Sequence, residues 1–209
     1  RKTPIPVYAE MSSINPVLLF PGKLKENPVA LAQQMAGSIT LGVGQFCTNP
    51  GLLFLLKDEH SETYIAALKA ALEAVPAGIM LNKTICTSYY RDRLRISEAE
   101  GVTVLFEGTD ESGNHKGSAG LLQVSAKSFM GQPALQDEIF GPASMLVLCD
   151  DAAEMLAAIE GLHGQLTGSV FGNAEDIATY QDIIAALSGH IGRLIYNNVP
   201  TGVEVCHAM

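Results

Sequence analysis

The chain has 209 residues, 47% of them hydrophobic and 17% charged, with a net charge of −9. That composition supports a packed core and excludes a disordered chain. The acidic balance argues against nucleic acid or an anionic membrane as partner, since both call for an excess of Lys and Arg, and no apolar run reaches the roughly 18 residues of a membrane span.

From the N-terminus, residues 1–10 lack the apolar segment of a secretory signal. "PVLLF" (16–20) reads as a strand. Residues 27–42 read as a helix, with Asn27 as N-cap, Pro28 in the first turn, and Leu31, Met35 and Ile39 at helical spacing. Gly42 and Gly44 are expected to stop it. A second strand covers 51–57, apolar throughout as in a sheet buried on both faces. A helix over 61–75 is expected to be capped by Ser61 and closed by Pro76 and Gly78, and another covers about 84–100. Then come a strand at 102–107, a polar loop over 108–118 and strands at 120–126 and 143–150. A helix at 151–161, a strand at 166–172, a helix at 174–187 and a strand at 192–198 complete the series. Strand–helix alternation with continuous apolar strands predicts one α/β domain over 1–209: a mostly parallel sheet with helices on both faces, in three α/β/α layers.

Cys47, Cys86, Cys149 and Cys206 lie far apart with no C-x-x-C pair, which fits reduced thiols in a cytoplasmic protein better than a zinc ribbon or disulfides. The five histidines show no ligand spacing, so no metal site is expected. Cys47 stands apart, in "GVGQFCTNP" (42–50), between two glycines and a proline. It reads two ways. As structure, it is a small buried residue at a helix end. As chemistry, it is a nucleophile in a loop whose small neighbours leave room for a carbonyl, with its own N–H available to a developing oxyanion. Glu10, in "VYAEMSSINPV", reads as a surface carboxylate or as an active-site base at the C-terminal end of a strand. "QDEIFGP" (136–142) is a sharp turn into the strand at 143.

In this order the three stretches resemble the catalytic domain of the aldehyde dehydrogenase superfamily, over residue 4 to the end. "GQFCTNP" looks like the nucleophile motif with its Gly-Gln-x-Cys core. "AEMSSINP" is similar to the Glu-Leu-Gly-Gly-Lys-x-Pro segment, and "DEIFGP" to Glu-Glu-x-Phe-Gly-Pro. The sequence departs from the pattern at Ser12-Ser13 for Gly-Gly, at Ile14 for Lys and at Asp137 for the first Glu. Asn15-Pro16, "FPGK" (20–23) and the C-terminal "NNVPTGVEVCHAM" resemble the α-ketoglutaric semialdehyde (2,5-dioxovalerate) dehydrogenase branch, with NADP-dependent fatty-aldehyde dehydrogenases close by.

The resemblance implies that Cys47 attacks an aldehyde to form a thiohemiacetal, that hydride passes to NAD or NADP to leave a thioester, and that Glu10 activates the hydrolytic water. Glu138 would bind the nicotinamide ribose, Phe140 would pack near the nicotinamide, and 200–203 would line the substrate funnel. It also implies a small-molecule aldehyde substrate and a homo-oligomeric parent enzyme. An acidic aldehyde calls for a basic anchor; Arg91, Arg93, Arg95 and Arg193 read instead as surface or structural. Gly42-Val43-Gly44 does not open a dinucleotide fingerprint, because Cys47 occupies the third glycine's place. The cofactor domain, the oxyanion asparagine and the C-terminal continuation are therefore expected outside this chain. Two other readings stand beside this one: a cofactor-independent thiol esterase built on Cys47 and Glu10, and a non-catalytic module.

Overall fold

In the computed structural model, which describes residues 12–202, the apolar runs become strands and the amphipathic runs helices. In chain order these are β1 (Val17–Leu19), α1 (Pro21–Glu26), α2 (Pro28–Thr40), β2 (Leu52–Leu56), α3 (Glu59–Glu73), β3 (Gly78–Ile79), α4 (Lys83–Ser97), β4 (Thr103–Glu107), β5 (Lys116–Gly117), β6 (Gly120–Ser125), α5 (Ala126–Met130), β7 (Ala143–Cys149), α6 (Ala152–Glu160), β8 (Gln165–Phe171), α7 (Ala174–Thr179), α8 (Gln181–Ser188) and β9 (Ile191–Tyr196). Glu10 and Cys206 lie outside the described residues.

The main sheet has the order β4-β6-β7-β2-β1-β8-β9. All neighbours are parallel except β4, which pairs antiparallel to β6 at one edge. Each central strand feeds two cores, because successive side chains leave a strand on opposite faces. Leu18, Phe54, Val124 and Val147 pack against Phe129 of α5, Met155 and Ile159 of α6, and Ile183 and Leu187 of α8. Val17, Leu19, Leu53, Leu55 and Leu146 pack against Met35 and Ile39 of α2 and Tyr64, Leu68 and Leu72 of α3. The mostly parallel sheet with helices on both faces is thus as expected, and the two-sided burial explains the unbroken apolar runs.

Local chemistry moves several boundaries. The cap of α3 is Asp58, which accepts from the Ser61 N–H; Ser61 is its capping-box partner three residues inside the helix. The helix expected over 174–187 is two helices, broken where Tyr180 leaves helical geometry and stacks on Phe20 with ring centroids 4.5 Å apart. Helix α1 was not anticipated. Its N-terminus is held from a distance: buried Asp176 of α7 accepts from the Gly22 and Lys23 N–H groups at 2.9 and 2.8 Å. Within the expected polar loop, Lys116–Gly117 form β5, which pairs with β3 in a small two-stranded sheet.

Cys86 and Cys149 are buried. Burial, and then the nearby Glu154 and Asp150 carboxylates, push the Cys149 thiol up to about 12; burial also raises the Tyr64 and Tyr89 phenols. These groups are neutral in the fold and ionise more easily once unfolded. Their stabilisation is therefore complete below the unfolded thiol value near pH 9 and is lost as pH climbs toward about 12. Melting temperature is expected to stay level from about pH 7 to 8.5 and to fall progressively above about pH 9.5, as measured by differential scanning fluorimetry. A level profile to about pH 11 would contradict this burial.

Candidate active site

The described residues of the three motifs lead into the three central strands of the sheet from the same end. Ser12–Pro16 leads into β1, Gln45–Gly51 into β2 and Asp137–Pro142 into β7, and these three strands are parallel. The motifs therefore gather at the amino ends of the strands. Open α/β sheets usually bind ligands at the carboxyl ends, and that rule guided the expectation for Glu10. Glu10 itself lies outside the described residues, but the described part of its motif enters the sheet from the amino side.

Helix α2 ends at Thr40, and three successive left-handed residues then redirect the chain: Gly42 (φ 55°), Val43 (φ 59°) and Gly44 (φ 66°). Val43 is β-branched, so its left-handed backbone is strained. It is held by packing, its side chain lying over Gly78 of β3 and Gly117 of β5. Gly44 is buried against the backbone of the third motif. A Cβ there would lie 2.2 Å from the Gly141 carbonyl carbon and 2.5 Å from the Pro142 nitrogen. Gly141 is in turn pressed on the Tyr89 ring of α4.

Past Gly44 the chain makes the turn Phe46–Cys47–Thr48–Asn49, closed by the Asn49 N–H donating to the Phe46 carbonyl at 3.0 Å. Cys47 is the second residue of this turn and is exposed, whereas Thr48 and Asn49 are buried. The buried-packing reading of Cys47 is thus overturned. In a trans peptide C=O and N–H point opposite ways. With the Phe46 carbonyl aimed into the turn, the Cys47 N–H is aimed out of it.

The turn is pinned from two sides. The Asn15 side chain donates to the carbonyls of Cys47 (2.8 Å) and Asn49 (2.9 Å). The Asn49 side chain donates to the Gly141 carbonyl at 3.1 Å, joining the cysteine turn to the third motif. Asn15 and Asn49 were missed as site residues by sequence reasoning. The available signal was that each precedes a proline on the way into a buried strand.

Phe46 and Phe140 both line an open cleft of about 580 Å³, together with Gly42, Gln45, Met80, Ile85 and the exposed Ile79 and Leu81. The fold thus brings Cys47's neighbour and Phe140 together, although they are far apart in sequence. Glu138 lies half-buried two residues before Phe140 in the same loop. Asp137 pairs with Arg95 of α4 at 3.0 Å. Arg93 is buried, pairs with Glu107 at 2.8 Å and lies over the Tyr89 and Tyr90 rings, while Arg91 pairs with Asp92. These three arginines are committed to structural or surface pairs. Of residues 200–203, Pro200–Gly202 are described, and the Thr201 hydroxyl bonds the Ser38 hydroxyl of α2 at 2.6 Å. Among the described residues no group of three or more His, Cys, Asp or Glu could hold a metal ion, and no helix is long and apolar enough to cross a membrane.

The family model for the aldehyde dehydrogenase family matches residues 2–208. The chain belongs to the aldehyde dehydrogenase family. It is similar to α-ketoglutaric semialdehyde dehydrogenase 2 of Azospirillum brasilense, with 42% identity over all of this chain and 40% of that protein. It is 34% identical to the α-ketoglutaric semialdehyde dehydrogenase of Acinetobacter baylyi, again over all of this chain and 40% of that protein. The chain thus spans about two fifths of the length of these relatives. Among solved structures, PnpE in complex with nicotinamide adenine dinucleotide superposes with a TM-score of 0.74 at 16% identity, over 93% of this chain and 40% of that one. The NADP-dependent glyceraldehyde-3-phosphate dehydrogenase of Bacillus halodurans superposes with a TM-score of 0.70 at 20% identity, over 91% of this chain and 39% of that one. At these identities the two structures speak for the fold.

Proposed function

We propose that this chain is the nucleophile-bearing part of an NAD(P)-dependent aldehyde dehydrogenase that converts a small aldehyde to its carboxylic acid, with α-ketoglutaric semialdehyde the best-matched substrate. The observation that carries the reading is the exposed Cys47 on a pinned turn, its N–H directed outward, next to Phe46, which lines an apolar cleft together with Phe140. The substrate assignment leans on the two semialdehyde dehydrogenases matched along the whole chain.

The described residues fit the nicotinamide end of the cofactor and not its phosphates. Phe46, Phe140, Ile79 and Leu81 offer apolar surface to a flat ring. Gly42–Gly44 is no phosphate cradle, because Gly44 is already covered by the Gly141–Pro142 backbone. The nicotinamide, when bound, supplies the hydride acceptor. Phe140 would flank its ring and Glu138 would accept from the ribose hydroxyls. The chain's own work is covalent. The Cys47 sulfur adds to the aldehyde carbon, and the Cys47 N–H helps hold the resulting oxyanion. Once the adduct carbon has given up its hydride to that acceptor, Cys47 holds the acyl group as a thioester until water, deprotonated by Glu10, displaces it as the acid. Tethering the carbon to a pinned turn converts a bimolecular encounter into an oriented one.

Limiting iodoacetamide at about pH 8 is expected to label Cys47 well ahead of Cys86 and Cys149, since both of these are buried and held as thiols. Mass spectrometry of the digested protein reads the order. Labelling of Cys86 or Cys149 first would count against the assignment. In the whole enzyme, loss of α-ketoglutaric semialdehyde-dependent NAD(P)H formation should track Cys47 modification one for one.

A further inference from the structure

Asn15 takes no part in the covalent steps above, yet it is fully buried beneath the cysteine turn that it pins. Its two amide hydrogens go to the Cys47 and Asn49 carbonyls, at 2.8 and 2.9 Å. Its side-chain oxygen accepts from the Ser13 hydroxyl at 2.8 Å and from the Thr167 hydroxyl and N–H at 2.9 and 3.3 Å. The orientation of the amide is dictated by its partners: a backbone N–H can only donate, and the two carbonyls can only accept. The backbone is unusual as well. Asn15 is left-handed (φ 45°) although it precedes a proline, a position that favours extended geometry. Such strain persists where surrounding contacts over-determine it, and it clusters at functional sites.

We propose that Asn15 is the positioning residue of the nucleophile: it clamps both ends of the Cys47–Asn49 segment to β8 and so fixes the Cys47 N–H and sulfur relative to the cleft. The clamp works by donation. The carbonyls of Cys47 and Asn49 both accept from one NH₂ group, and Thr167 of β8 donates to the oxygen of the same amide. Gln165 of β8 secures the residue next to Asn15, its side-chain oxygen accepting from the Ile14 N–H at 2.6 Å. This inference rests on Cys47 being the nucleophile.

The test uses the whole enzyme with α-ketoglutaric semialdehyde and NAD(P). Asn15→Gly tolerates the left-handed backbone and removes the side chain. Asn15→Asp keeps shape and volume but sets an acceptor against the two carbonyls. Both are expected to lower kcat by about 10- to 100-fold, the scale of a misplaced reacting group, with KM for NAD(P) changed less than about twofold. Thr167→Val keeps the N–H and deletes only the hydroxyl; a kcat loss of about 3- to 10-fold is expected at an unchanged KM for NAD(P). A residue that merely filled space would leave Asn15→Asp near wild type, and that result overturns the proposal. If the Asn15 variants fail to fold, Thr167→Val decides, and wild-type kcat in that variant overturns it too. Cys47→Ala separates the two levels: full turnover there sinks the nucleophile assignment itself, whereas an inactive Cys47→Ala beside an intact Asn15→Asp sinks only the clamp.

Discussion

Cys47→Ala in the whole enzyme is expected to lower kcat/KM for the aldehyde by about 10⁴- to 10⁶-fold, the scale seen when a covalent nucleophile is removed. Among the described residues the other cysteines, Cys86 and Cys149, are buried and cannot take its place. Stability should hardly change, because Cys47 is exposed on a turn whose bonds run through backbone and through Asn15 and Asn49. A surface substitution of this kind lies within about 0.5 kcal/mol, so the melting temperature should stay within about 2 °C. The contrast between a lost reaction and an unchanged melt separates chemistry from folding. Turnover within tenfold of wild type would show that the sulfur is not the nucleophile. A parallel collapse of the melt would show that the turn, not the sulfur, was damaged.

Gly44→Ala is expected to damage both stability and turnover. The new methyl would meet the Gly141 and Pro142 backbone at 2.2 to 2.5 Å, and φ of 66° adds the left-handed penalty. Backbone cannot swing aside as a side chain does, and Gly141 is already backed by the Tyr89 ring, whose hydroxyl donates to the Ser118 carbonyl at 2.6 Å. The combined cost is about 3 kcal/mol, or a melting temperature lower by about 6–12 °C. Cys47 lies three residues on and Phe140 sits beside Gly141, so relaxation moves both sides of the site and kcat should fall with the melt. Gly37→Ala is the control. Gly37 is an exposed helical position with nothing within 4 Å of the new methyl, and the change should stabilise α2 by about 0.5–1 kcal/mol. Equal melts for the two variants would refute the close packing of the cysteine turn on the third motif.

Particular residues mark what could be read from the chain alone. Leu52–Leu56 and Ala143–Cys149 announce themselves as buried strands because a sheet covered on both faces demands apolar side chains at every position. Asn27 announces the start of α2 because a helix start leaves N–H groups that a nearby side chain can satisfy, and it accepts from Ala30 as expected. The three motifs, with Cys47, Glu138 and Phe140 in them, are likewise local strings. Helix α1 was illegible because its cap, Asp176, is supplied from the far end of the chain. The break at Tyr180 was illegible because its stacking partner is Phe20.

The fold class and the family are legible in the chain alone, since periodicity, caps and short motifs are written in neighbouring residues. That Cys47 is exposed rather than packed, and that the motifs gather at the amino ends of the strands, emerges from the packed fold. It alone made Asn15 and Asn49 the residues that hold the turn. Each of these depends on which distant carbonyl meets which amide, and that is settled by the packing of β1, β2, β7 and β8 side by side.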